Sequence, residues 1–240
     1  MIRSLFKKIC SCIAFVLLCN LFSYAQVSFK FNITANGKPL LLNDSSYTNG
    51  FNEAYQVTRL KYYISNILFK GDDVMLFNER VLLMDAGNTD SIVFPSSNGN
   101  YHSLDFTIGV DSALNCSGAQ DEALDPLNGM FWTWNSGYIF FKLEGYSPAS
   151  KADLGRIEHH VGGYRFPNNV ARRITLPFPR KLEVKAGSKH TIIVNIDLDK
   201  YWKGISDIKI ADQALLMTPG RLAIKAADNF QGMFSIKSIE

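Results

Sequence analysis

From residue 26 onward, hardly any of this chain sustains a helical period. Short runs rich in β-branched and aromatic residues recur instead, punctuated by Gly, Pro and Asn. That pattern restricts the chain to an all-β fold, an antiparallel β-sandwich or a barrel-like domain. Residues 27–34 alternate, with Val27, Phe29, Phe31 and Ile33 on one face, as a half-buried strand does. Residues 57–70 predict one long or bent strand, ended by Gly71-Asp72-Asp73. Further short strands are predicted at 80–84, 91–94, 103–108, 155–164, 171–177, 181–185 and 191–198. One exception follows at 219–230, where Leu222, Ile224, Ala226 and Ala227 predict a short C-terminal helix. Thr218 stands there as a candidate N-cap and Pro219 in the first turn.

The first 25 residues have a different character. Arg3, Lys7 and Lys8 precede an almost wholly apolar run, and Ser23-Tyr24-Ala25 offers small residues at the two positions a signal peptidase reads. The apolar run is too short for a comfortable membrane span. Leu18 before Cys19 argues against lipidation, so cleavage is expected before Gln26. Of the 25 Lys and Arg, 22 then remain, against 22 acids, and the formal charge falls to zero. No basic run is left that would engage nucleic acid or an anionic membrane surface. Cys10, Cys12 and Cys19 are lost with the leader, so Cys116 is a lone thiol without an internal disulfide partner.

Residues 124–145 hold two of the three Trp, introduced by the turn signals Asp125-Pro126 and Asn128-Gly129. On an extended chain Trp132 and Trp134 share one face, while Phe131 and Thr133 take the other. The plain reading is a core strand pair bent at Asn135-Ser136-Gly137. Ahead of it, residues 109–129 read as one long polar loop, a length that is uncommon and usually functional. Asp111, Asp121 and Asp125 crowd that loop with Glu122. These oxygens suit a hard cation such as calcium, although their spacing matches no calcium-loop pattern, and the alternative is a solvated loop.

Nucleophile elbow, Walker loop, zincin helix and dinucleotide fingerprint are all missing, which favours a binding module over an enzyme. His159-His160 is the more informative pair. On a strand, adjacent residues face opposite ways, so one imidazole enters the interior and the other faces solvent. A neutral buried imidazole suits copper or zinc, with Cys116, Met130, Met217 and Met233 as soft partners. The alternative is a core histidine bonded to a backbone carbonyl.

Several pieces occur in a definite order: Tyr62-Tyr63-Ile64-Ser65-Asn66-Ile67, Ile108-Gly109-Val110-Asp111, Leu114-Asn115, Leu124-Asp125-Pro126, Gly129-Met130-Phe131-Trp132-Thr133-Trp134, Ser136-Gly137-Tyr138 and His160-Val161-Gly162-Gly163. Together they resemble the MbnP-like copper-binding domain of secreted and periplasmic bacterial proteins. The resemblance implies a single extracytoplasmic β domain over 26–240 whose relatives bind copper. It further implies that a Trp near the metal is oxidised to kynurenine in some relatives, and that a di-haem peroxidase-like partner is associated with that oxidation. Carried over, His160 takes the His-x-Gly position, and Trp132 and Trp134 take the Trp-x-Trp segment. Many relatives read Leu-Asn-His where this chain has Leu114-Asn115-Cys116. The expectation is an extracytoplasmic copper-binding protein of copper scavenging or delivery. His160 and Cys116 lead its ligands, with Met130 and His159 behind them. The alternative is a metal-free envelope module that kept the scaffold and lost the site.

Overall fold

A computed structural model describes residues 25–43, 47–73, 75–88, 92–117, 120–133 and 135–240. Residues 1–24, on which most of the signal-peptide expectation falls, and Trp134 lie outside the described residues. The strands run β1 Ala25–Ala35, β2 Lys38–Pro39, β3 Tyr47–Thr48, β4 Ala54–Gly71, β5 Met75–Asn78, β6 Leu82–Asp85, β7 Ile92–Ser96 and β8 Gly99–Ile108. After helix α1 (Ser112–Asn115) come β9 Phe131–Thr133, β10 Gly137–Tyr146, β11 Arg156–Gly162, β12 Arg172–Val184 and β13 Lys189–Asp197. Short helices α2 (Asp199–Trp202) and α3 (Ile210–Gln213) lead to β14 Leu215–Leu216. Helices α4 (Arg221–Asp228) and α5 (Phe230–Met233) then precede β15 Phe234–Ile239.

Two sheets form a sandwich, as the alternation requires. One runs β15-β13-β1-β2, with β7 also on β1; the other runs β12-β8-β4-β10-β11-β14, with β3, β5 and β6 on β4 and β9 on β10. Aromatic pairs close the space between them: Phe29 on Phe69 and Phe106 on Phe234, each with ring centres 5.3 Å apart. β12 shows the cause most simply, burying Ile174, Leu176 and Phe178 while the residues between them face out. The sandwich is mixed where a purely antiparallel one was expected. β1 pairs in parallel with β13, and β11 with β14. The β1–β13 partners lie some 160 residues apart, so no local pattern announces their direction. Among the described residues no closed barrel forms.

β4 is the predicted long, bent strand: its pairing with β8 slips between Ser65 and Leu68, where Asn66 takes a positive φ of 51°. The predicted strands at 171–177 and 181–185 are one strand, because β8 pairs with both parts across a bulge. The stretch 109–129 is not an open loop. It holds α1 and two 3-10 turns, Glu122–Leu124 and Pro126–Asn128. The C-terminal helix forms as α4, but Gly220, not Thr218, occupies its N-cap. α5 and the strand β15 follow it.

Candidate functional site

The β4–β10–β11 register sorts this part of the sheet into two faces. Leu143 lies opposite both His159 and Leu60, and all three are fully buried. Lys142 lies opposite His160 and Lys61, and Glu144 opposite Glu158 and Arg59, on the outward face. The two histidines split between faces as predicted, but His160 does not face solvent: it is buried, 9% exposed, on the outward face of the sheet.

On the outward face His160 Nε2 lies 2.8 Å from Glu144 Oε1. Glu144 also takes Arg59 at 2.8 Å and stands 3.6 Å from the Lys142 ammonium. The His160 hydrogen bond, then Lys142 and Arg59, hold its carboxyl down at about 2 against the opposing effect of burial. An ionised carboxylate only accepts, so His160 Nε2 donates and, in the neutral ring, Nδ1 keeps its lone pair. That nitrogen carries no hydrogen bond among the described residues. Burial pulls the Lys142 ammonium below its ordinary value, against Glu144, and its Nζ donates to the Gly129 carbonyl.

His159 faces inward and is fully committed. Its Nε2 donates to the Gln213 carbonyl at 2.6 Å, so its Nδ1 accepts from the Tyr201 hydroxyl at 2.8 Å. Burial pulls its pKa down to about 4. Trp202 packs edge-on against the same ring, 5.4 Å between centres. With both nitrogens occupied, His159 holds α2 and α3 against β11 and has no lone pair left for a metal. This is the core histidine bonded to a carbonyl.

Trp132 is half-buried on β9, which forms the predicted hairpin with β10. Its indole lies on the backbone of Gly162: a Cβ there would fall 2.8 Å from Cζ3 and 2.6 Å from the Tyr138 carbonyl. Gly162 follows His160 by two residues and so projects from the same face of β11. Met130 is fully buried just before β9, and its carbonyl accepts from Ile139.

Cys116 is exposed at the C-cap of α1, beside the Tyr164 hydroxyl, and no hydrogen bond joins it to His160. Two of the acids of 109–129 serve local turns. Asp111 accepts from Ala113 N and Asp125 from Leu127 N, each capping the element that follows, while the Asp121 side chain makes no cap bond. Among the described residues no three His, Cys, Asp or Glu side chains gather as a metal cradle, so Asp111, Asp121 and Asp125 do not form one.

An imidazole donor such as His160 suits a borderline transition-metal ion such as copper or zinc. Its imidazole is oriented by a carboxylate on one nitrogen and free on the other, as metal-binding histidines are. Glu144 and Lys142 escaped the sequence reading. Their only signal is that two charges alternate with Phe141, Leu143 and Gly145 in an otherwise apolar run, and their nearness to His160 depends on strand register.

Comparison with known proteins bears on the same scaffold. No curated protein matches the chain in sequence. Among solved structures the fold is similar to MbnP from Methylosinus trichosporium, with a TM-score of 0.57 and 16% sequence identity over 89% of this chain and 97% of that one. A family profile described as MbnP matches residues 24–219, a span that holds both sheets' central strands and the His160 face. The chain belongs to the MbnP family.

Proposed function

We propose that the protein is an extracytoplasmic copper-binding protein that takes copper through His160, in copper scavenging or delivery. The observation that carries this is the Glu144–His160 pair, which presents Nδ1 with no hydrogen bond among the described residues. Bound copper would supply a one-electron centre on the outward face of the sheet; the chain's own part is to hold the imidazole in one orientation. Trp132, half-buried on Gly162, and Trp134 are the two indoles that a di-haem peroxidase-like partner would oxidise. The leader read at 1–25 supports the extracytoplasmic setting. No helix among the described residues is long and apolar enough to cross a membrane.

Native mass spectrometry of the mature protein tests the reading. One copper is expected per chain, lost in His160→Ala and bound about 10- to 100-fold more weakly in Glu144→Gln. Undiminished stoichiometric binding by His160→Ala would sink it. A second reading, a metal-free envelope module, draws on Cys116 standing beside Tyr164 in place of joining His160. Under it, added copper leaves the melting temperature unchanged.

A further inference from the structure

The short strand β14 lies on β11, on the side away from β10 and Glu144. The two pair in parallel, Glu158 with Leu215 and His159 with Leu216, and Glu158 N donates to the Ala214 carbonyl at 2.9 Å. One residue further along both chains sets Met217 level with His160. The chain has not left β11 by then, because Pro219 still lies against it: a Cβ on Gly163 would fall 3.2 Å from the Pro219 Cβ. Met217 is therefore held between two points of contact, Leu216 on His159 and Pro219 on Gly163.

The face follows from the pleat. Leu216 is 3% exposed and points into the sandwich with its partner His159. Its neighbours Leu215 and Met217 are 45% and 43% exposed, so they project from the other face, the one that carries His160. The row across the sheet at this level runs from Lys142 on β10 through His160 on β11 to Met217. Glu144 fixes the His160 ring on Nε2, and Nδ1 has no hydrogen bond among the described residues. Among the described residues no group of three His, Cys, Asp or Glu side chains offers a harder donor set. Charge favours a monocation. Arg59 and Lys142 flank the one Glu144 carboxylate, while Lys61 and Arg156 each have an acid of their own, Asp85 and Glu158. The net positive charge left around the ring repels a dication more than a monocation.

We propose that Met217 is the second ligand of the His160 centre, its thioether sulfur and His160 Nδ1 together holding a single Cu(I) ion. A thioether is a soft, polarisable donor on an unbranched side chain, and it selects Cu(I) over harder divalent ions. The assignment rests on the copper reading of His160 and adds the donor that completes it.

The test titrates the mature, metal-stripped protein, its methionine methyl groups isotope-labelled, with Cu(I) under anaerobic conditions and follows the methyl NMR signals. The Met217 signal, identified by its loss in Met217→Leu, should move in step with the metal up to one equivalent. The signal of Met75, 72% exposed on β5, should not. In competition with a Cu(I) chelator, Met217→Leu should bind more weakly by at least the roughly 10- to 100-fold that losing an outer-shell partner costs. Met75→Leu should bind as the wild type does. Leucine is close in volume to methionine, so an unchanged melting temperature of the metal-free Met217→Leu protein checks its fold. A Met217 signal that stays still, or undiminished Cu(I) binding by Met217→Leu, would overturn the assignment. If His160→Ala still loses copper in that case, the reading of His160 stands without Met217. A wild-type chain that takes up no copper would overturn both.

Discussion

Glu144 and His160 meet across the β10–β11 pair at 2.8 Å, side chain to side chain, although 16 residues separate them in the chain. The bond holds one imidazole nitrogen and ties two strands on the outward face.

Acid should release it with a definite sign. The Glu144 carboxyl sits at about 2 in the fold against 4.5 for a free one, so the unfolded chain binds the proton more readily between those values. Its contribution is full above about pH 4.5 and is lost as pH falls toward 2. The group is part-exposed, which limits the effect to about 1 kcal/mol, or roughly 2–4 °C of melting temperature. Glu144→Gln should lower the melting temperature at pH 7 and remove this component of the acid slope. A wild-type slope in the variant would show that the pair contributes nothing.

His159 gives a second component at higher pH. Its folded value of about 4 lies below the ordinary 6.5, so stability is full above 6.5 and declines as pH falls toward 4. His159→Phe keeps the aromatic volume and abolishes this titration, flattening the slope in that window. It also strands the Tyr201 hydroxyl and the Gln213 carbonyl in the core, which costs about 2–4 kcal/mol at neutral pH. Denaturant melts at pH 5 and pH 7 separate the two effects.

Gly162→Ala should move Trp132. The new methyl would meet the indole at 2.8 Å and the Tyr138 carbonyl at 2.6 Å, and the backbone oxygen cannot withdraw without disturbing the β10–β11 ladder. A loss of about 1–3 kcal/mol and a red-shifted tryptophan emission are expected. An unshifted spectrum with full stability would contradict the close approach of that indole to β11.

Asp105 is buried on β8, where Lys70 stands 2.7 Å away and Arg173 holds the same oxygen, while Oδ1 has no partner among the described residues. Burial alone would raise its pKa, but the two cations together keep it below the ordinary value. Lys70 and Arg173 are partly exposed and can return to water; the carboxylate cannot. Asp105→Asn should therefore cost about 1–3 kcal/mol, and Lys70→Met with Arg173→Met about 3–5 kcal/mol. Urea midpoints at constant m-value decide the order.

The all-β class, the bent strand β4, the β9–β10 hairpin and the placement of His159 and His160 on opposite faces were legible in the residues. Each is a local property: period-two alternation and turn chemistry act over a few neighbours. The acids of 109–129 misled for a related reason. Asp111 and Asp125 look like loop oxygens free for a cation, yet each closes on an amide two residues ahead, and composition alone does not separate capping from coordination.

By itself, then, the sequence determined which way each side chain on a strand would point, because pleating settles that residue by residue. Tertiary structure decided what each side chain would meet. Only the β10–β11 register puts Glu144 beside His160, and only packing of the 199–213 segment seals His159 with Tyr201 and Gln213. Only the approach of α1 to the chain after β11 sets Cys116 beside Tyr164. These meetings depend on strand pairings and chain closures spanning tens of residues. A one-residue slip in any of them would exchange every partner, and no local pattern records them.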